Sequence, residues 1–197
     1  MAEKHRVVID PGHGGRDSGA IGEFAICLDE NNIRTIYEKE VNLGIALYVE
    51  DYLSRLCRDK IDVFLTRGSD RTVSLKTRAE IVRLRHPVDL FVSVHCNSFD
   101  EVVDTEPGVT GIETFYYWDD ARIISYIMQR NLMKAFSECK NRGSKRARYY
   151  VLRKGIPESI LVECEFIDEI PTWLDSSTVQ KKFGTVIGES IREYFLV

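Results

Sequence analysis

Four residues of this 197-residue chain combine a side chain that could bind a metal ion or move a proton with a position that suits this chemistry. His13 and His95 each follow a short apolar run, and His13 is flanked by glycines that let the backbone approach a ligand closely. Glu38 opens a segment with helical periodicity. Glu163 lies among apolar neighbours, where an ionised carboxylate is costly without a partner.

Two imidazoles and one carboxylate, completed by a water, make a tetrahedral zinc site with one position open for catalysis. A second glutamate nearby would act as the general base, taking a proton from the water that the zinc activates. The spacing alone is weak support, because these residues come from four separate segments and the compact HExxH arrangement does not occur.

Strand-like and helix-like segments alternate along the chain and must position these residues. Strands are predicted at 7–9, 62–66, 89–95, 111–117, 149–152 and 160–166, and helices at 38–57, 74–84, 121–138 and 178–195. The alternation predicts an α/β fold: a single three-layer sandwich in which helices flank a mostly parallel central sheet. Residues 1–197 are expected to form one domain, with long loops at 97–110 and 140–148.

Composition narrows the classes of function. The formal charge of −4 gives no reason to expect nucleic acid as a partner, and no apolar run is long enough to span a membrane. The five cysteines include no CxxC pair and are expected to be free thiols. The first residues lack the apolar stretch of a secretion signal, so we expect either a removed signal or another route of release, such as that of a phage lysin.

Several motifs occur in a fixed order along nearly the whole chain. They are Val8–Gly15 with Asp17 and Gly19, Glu38–Leu43, Thr66–Arg67 with Asp70, Leu75 and Arg78, Ser93–Asn97, Leu152–Arg153, and Leu161–Glu163. Together they resemble the zinc-dependent N-acetylmuramoyl-L-alanine amidases known as type 3 amidases. No single motif would carry this resemblance, but their order makes it specific.

The resemblance implies that His13, Glu38 and His95 hold Zn²⁺ and that Glu163 is the catalytic carboxylate. It implies hydrolysis of the amide between the lactyl group of N-acetylmuramic acid and the L-alanine of the peptidoglycan stem peptide. Arg153, with Arg142 as a second candidate, would lie near this muramyl peptide and pair with a carboxylate or stabilise the oxyanion. The site of action would be the cell wall, periplasmic or extracellular. The oligomeric state stays open.

Two departures from the family pattern concern the carboxylates. The segment 23–37 is longer than usual between the first two motifs, so Glu40 or Glu30 are alternatives to the favoured Glu38 as the third ligand. The family usually has glycine where this chain has Glu165. In an extended strand residues 163 and 165 share a face, so Glu165 could tune or replace Glu163 unless the strand ends first.

A third departure concerns access to the site. The stretch after His95 is too short for the inhibitory helix that some regulated members carry there, which predicts a site that is open without an activator. Two other functions stay open at this point: a zinc peptidase acting within the stem peptide, and a non-catalytic wall-binding module. A serine hydrolase is disfavoured, because no GxSxG turn occurs.

Overall fold

The protein is described from a computed structural model that covers residues 4–26, 29–85, 87–99 and 109–196. The strands are β1 (His5–Pro11), β2 (Ile21–Ile26), β3 (Asp29–Tyr37), β4 (Ile61–Leu65), β5 (Leu90–Asn97), β6 (Ile112–Tyr116), β7 (Asn141–Arg146) and β8 (Ser159–Phe166). The helices are α1 (Glu38–Leu56), α2 (Leu75–Leu84), α3 (Arg122–Ala135), α4 (Tyr150–Lys154), α5 (Pro171–Leu174) and α6 (Ser177–Tyr194).

Six of the strands form one central sheet in the order β4-β1-β5-β8-β6-β7. Every neighbouring pair is parallel except β6 and β8, which are antiparallel. Strand β8 is buried along its whole length, as expected for a strand covered on both faces, although it carries Ser159, Glu163 and Glu165. The predicted α/β fold with a mostly parallel central sheet flanked by helices is confirmed.

The helices cover the two faces of the sheet and complete the three layers. On one face α1, α3 and α6 bury the larger apolar cluster, in which Phe136 stacks on Phe183 at a ring-centroid distance of 4.1 Å. On the other face α2 and α4 bury a smaller cluster that includes Val82, Phe91 and Leu152. The smaller cluster leaves room beside it at the carboxyl edge of the strands, where a cleft opens.

Two predictions of secondary structure are wrong. The segment 149–152, predicted as a strand, leads into helix α4, and the basic stretch 140–148, predicted as a loop, contains strand β7. A five-residue helix is too short for a helical period to be visible in the sequence. Strand β7 is the edge of the sheet, and its charged residues are typical of edge strands, which natural proteins protect from further pairing.

The segment 21–37, which carries the extra residues before the second motif, forms a separate two-stranded antiparallel sheet of β2 and β3. The pair Ile21 and Tyr37 closes the base of this hairpin. The chain therefore leaves and returns at neighbouring positions, so the length of the hairpin does not change where α1 begins.

Two expectations from composition can be compared with the described residues. No helix among them is long and apolar enough to cross a membrane. Cys57, Cys96, Cys139 and Cys164 are free thiols, as expected, and Cys27 lies outside the described residues.

Candidate active site

His13, Glu38 and His95 come together at the carboxyl edge of β1 and β5, although they are far apart in the sequence. Their potential ligand atoms all lie within 4.8 Å of one another. The Nε2 atom of His13 is 3.0 Å from Oε2 of Glu38, and the Nδ1 atom of His95 is 3.0 Å from Oε1 of the same carboxylate. The two imidazole rings meet edge to face at a centroid distance of 5.0 Å. One carboxylate is thus shared between two imidazoles.

The backbone of the His13 loop is held in a conformation that side chains rarely adopt. His13 has φ +60°, in the left-handed region. Two buried guanidinium groups hold the loop: Arg67 donates to the Gly12 carbonyl at 2.7 Å, and Arg78 donates to the His13 carbonyl at 2.5 Å. A strained backbone persists only where its surroundings fix it, and these hydrogen bonds supply that constraint.

The positive charge of Arg78 is balanced by Asp10, which is buried beneath the loop. Arg78 Nη1 lies 2.5 Å from Oδ1 of Asp10, which also accepts a hydrogen bond from Thr66, and Oδ2 of Asp10 accepts one from Ser93 at 2.8 Å. Burial lowers the pKa of Arg67 to about 10, which still leaves this group a cation at neutral pH. The middle motif of the sequence therefore supports the loop that carries His13 from below.

Glu38 is the first residue of α1, and its carboxylate is buried and fully hydrogen-bonded. Oε2 accepts from the backbone N–H of Ala20 at 2.9 Å, and Oε1 accepts from the Asn42 side chain at 3.0 Å and from the Cys96 N–H at 3.1 Å. Burial alone would raise the pKa of Glu38, but its hydrogen bonds with His13 and His95 outweigh burial and hold the pKa well below its usual value. Glu38 is therefore an anion at any pH at which the protein would work.

Asp17 fixes the orientation of the His13 ring. Its Oδ1 atom is 2.9 Å from Nδ1 of His13, so the opposite ring nitrogen, Nε2, is the one that faces Glu38. Burial opposes protonation of His13, but the hydrogen bonds and charges of Glu38 and Asp17 outweigh it and raise the pKa of His13. A carboxylate on the far nitrogen is the usual partner of a metal-binding histidine.

Glu163 lies on β8, in register with His95 on β5, and both side chains line the same cleft. Its Oε2 atom is buried and makes no hydrogen bond to any described residue. Burial and then the negative charges of Glu38 and Glu113 raise the pKa of Glu163 well above its usual value. A carboxylate with an unused oxygen and a raised pKa is suited to accept a proton.

The expectation that Glu165 shares a face with Glu163 is wrong. The pairing of β5 with β8 shifts register between His95 and Asn97, and Glu165 has φ +126°. This bulge turns the Glu165 side chain away from His13, Glu38 and His95, and its Oε2 accepts a hydrogen bond from the Gly111 N–H at 2.6 Å. The positive φ is a conformation that the glycine expected here from the resemblance would adopt without strain.

The cleft has a volume of about 380 Å³, within the range of small-molecule sites. His13, His95 and Glu163 lie in it beside two less polar walls, formed by residues 72–75 before and at the start of α2 and residues 149–151 around the start of α4. Arg153 does not line this cleft, and its Nε is buried without a hydrogen-bond partner among the described residues. A contact between Arg153 and a substrate stays a prediction.

Of the two alternative third ligands, Glu40 is not found beside the two histidines. The Glu40 side chain is exposed, and the Glu30 side chain lies outside the described residues. Sequence reasoning missed Glu113, a buried carboxylate on β6 that is paired with Arg142 and Lys145. The available signal was an acidic residue inside an otherwise apolar predicted strand, followed by the basic stretch that provides its partners.

Comparisons with known proteins agree with this geometry. The family profile Amidase_3, described as N-acetylmuramoyl-L-alanine amidase, matches residues 7–193. Among solved structures, the N-acetylmuramoyl-L-alanine amidase AmiC2 of Nostoc punctiforme superimposes with a TM-score of 0.84 and is 35% identical, and the match covers 100% of both chains.

Curated relatives are longer than the matched region. An uncharacterized cell wall amidase of Bacillus anthracis is 30% identical over 98% of this chain and 36% of its own length. The N-acetylmuramoyl-L-alanine amidase CwlM of Bacillus licheniformis is 32% identical over 83% of this chain and 57% of its own length. The match therefore spans from about a third to somewhat over half of these two relatives.

Proposed function

The chain belongs to the N-acetylmuramoyl-L-alanine amidase family, and we propose on that basis that it hydrolyses the amide between the lactyl group of N-acetylmuramic acid and the L-alanine of the peptidoglycan stem peptide. The observation that carries the proposal is the grouping of His13, Glu38 and His95 beside a cleft that Glu163 also lines, with the Oε2 atom of Glu163 lacking a hydrogen-bond partner among the described residues. A non-catalytic module would have no use for a buried carboxylate left without a partner.

The residues present fit a zinc ion. Two imidazole nitrogens and one carboxylate are a donor set of catalytic zinc sites, and here His13, Glu38 and His95 supply it from atoms within 4.8 Å of one another. When bound, zinc supplies Lewis-acid chemistry, lowering the pKa of a water and polarising a carbonyl oxygen. Glu38 is the residue that brings negative charge to the site, because it stays ionised.

The remaining roles fall to side chains of the chain itself. Glu163 accepts a proton from the attacking water at its carboxylate and then returns it to the nitrogen of the leaving L-alanine. Asp17 keeps the His13 ring in one orientation. Arg153, on α4 next to the cleft-lining residues 149–151, is the candidate guanidinium for a substrate carboxylate or for the oxyanion. We further propose that residues 1–197 form a single catalytic domain that acts on the wall, in the periplasm or outside the cell, as an autolysin or an endolysin.

Analysis of the products from purified cell walls tests the proposal. We expect release of stem peptides with a free L-alanine amino terminus while the glycan strands keep their muramic acid. A chelator should stop the reaction, and added zinc should restore it. Cleavage inside the stem peptide would indicate a peptidase instead, and a rate unchanged by the chelator would overturn the metal-dependent mechanism.

A further inference from the structure

The neighbouring strands β5, β8 and β6 place His95, Glu163 and Glu113 side by side in one row across the sheet. His95 on β5 is in register with Glu163 on β8, and Glu163 is in register with Glu113 on β6. Register partners on neighbouring strands project to the same face. Since neighbouring strands lie about 4.8 Å apart, the backbone at Glu113 is roughly 10 Å from that at His95.

Glu113 is buried, and its single negative charge is paired with two positively charged side chains. Oε1 of Glu113 accepts hydrogen bonds from Arg142 Nε at 3.0 Å and from Asn97 Nδ2 at 2.8 Å, and Oε2 accepts one from Lys145 Nζ. We call these four residues the Glu113 cluster. One carboxylate and two basic side chains leave the cluster with a formal net charge of +1.

The two cations keep donors free for another acceptor. The side chain of Arg142 is 21% exposed and that of Lys145 is 43% exposed, whereas that of Glu113 is 3% exposed. None of the hydrogen bonds among the described residues uses the terminal nitrogens of Arg142, and Lys145 has three donors of which Glu113 takes one. The carboxylate therefore holds the cations in place without saturating them.

The Glu113 cluster adjoins the cleft through aromatic side chains. Lys145 Nζ lies 5.9 Å from the centroid of the Phe115 ring, and Phe115 meets Tyr149 edge to face at 5.2 Å. Tyr149 lines the cleft together with Glu163. The cluster thus lies at the end of a continuous surface that begins at the metal-binding residues.

We propose that Arg142 and Lys145, held by Glu113, bind a free carboxylate of the stem peptide within about three residues of the cleaved bond. The distance of roughly 10 Å along the row corresponds to about three residues of extended chain. The preferred substrates are therefore acidic stem peptides, and amidation of the carboxylate nearest the cleaved bond weakens their binding. This inference rests on the proposed amidase function, because it takes the peptide to extend from the metal-binding residues.

Binding of the released peptide tests this site without requiring hydrolysis. The probes are L-alanyl-D-glutamate and L-alanyl-D-isoglutamine, which differ by one carboxylate, each titrated calorimetrically into the zinc-loaded protein. Charge-assisted hydrogen bonds of this kind predict that the acid binds about 10- to 100-fold more tightly than the amide. Lys145→Gln should reduce this preference by about 10-fold with little change in affinity for the amide, and Lys145→Arg should restore it.

Arg146→Gln is the matched control, because Arg146 lies on the same strand but contacts Tyr117 and Asp119 instead of Glu113. Muramyl peptides that carry either D-glutamate or D-isoglutamine after L-alanine should show the same preference during hydrolysis, with the lower KM for the acid. Equal binding of acid and amide, or an equal loss in the Lys145→Gln and Arg146→Gln variants, would overturn the inference even if both muramyl peptides are cleaved. A carboxylate preference without any hydrolysis would support this site and contradict the amidase proposal instead.

Discussion

Replacing Glu163 with glutamine should remove activity and stabilise the metal-free protein. Glu163 is buried, its Oε2 atom has no hydrogen-bond partner among the described residues, and burial with the charges of Glu38 and Glu113 raises its pKa. Glutamine keeps the size of the side chain but carries no charge and cannot accept the proton. The residue is therefore expected to be costly for folding and necessary for catalysis, as functional groups often are.

The expected magnitudes follow from these contacts. Burying an ionisable carboxyl without a partner costs about 1–3 kcal/mol more than burying a neutral amide, because the desolvation penalty is larger for charged groups, and in a chain of this length 1 kcal/mol shifts Tm by about 2–4 °C. The Tm of the metal-free Glu163→Gln variant at pH 7 should therefore lie about 2–12 °C above that of the unchanged protein. Loss of a general base should lower kcat by about 100- to 10,000-fold.

The stabilisation should depend on pH with a defined sign. Because the pKa of Glu163 is raised on folding, the folded protein retains a proton that the unfolded chain releases near the ordinary value of 4.5. The stability that this proton contributes is complete below the unfolded-state pKa and is lost as pH rises through the folded-state pKa. The difference between variant and unchanged protein should be small at pH 4 and should grow toward pH 7.

Thermal unfolding in the presence of a chelator, together with turnover of a zinc-loaded sample, measures both effects. Glu113→Gln is the control with the opposite sign, because Glu113 is paired with Arg142 and Lys145 and its removal should lower Tm. A fall in Tm for Glu163→Gln, or retention of more than a tenth of the activity, would refute this reasoning.

Three further substitutions test the contacts that support the proposed metal ligands. Asp17→Asn should weaken zinc binding by about 10- to 100-fold in a chelator competition without loss of fold, because Asp17 orients His13; an unchanged affinity would contradict that role. Gly19→Ala should yield protein with little zinc by elemental analysis, because a Cβ atom at φ +67° would lie 2.4 Å from Oε2 of Glu38; a full complement of zinc would count against this. Arg78→Met should reduce the free energy of unfolding in denaturant by about 3–5 kcal/mol, since Asp10 would lose its buried partner, whereas a loss below about 1 kcal/mol would argue against it.

The two histidines could be predicted from the sequence because each is marked locally. Both follow apolar runs that form parallel strands, β1 and β5, and loops at the carboxyl ends of such strands converge at one edge of the sheet. For the third ligand, the sequence left Glu40 and Glu30 open as alternatives to Glu38. The hairpin of β2 and β3 explains why the added residues do not displace it, because Ile21 and Tyr37 pair at its base.

The features that could not be predicted depend on contacts between distant segments. The partners that balance the negative charge of Glu113 lie on β7, which pairs with β6 after an intervening helix. A strand rich in charged residues resembles a loop in the sequence, so this pairing could not be predicted. The orientation of Glu165 depends on a bulge, and the alternation of side chains along an ideal strand gives no sign of one. The usual glycine of the family at this position was the one indication that the backbone there adopts a positive φ.

Anomalous diffraction from crystals of the zinc-loaded protein, recorded on both sides of the zinc absorption edge, tests the central claim most directly. We predict a single strong zinc peak within about 2.0–2.2 Å of a nitrogen of His13, a nitrogen of His95 and a carboxylate oxygen of Glu38. A peak bound by Glu40 or Glu30 in place of Glu38, or no zinc between the two histidines, would contradict the account.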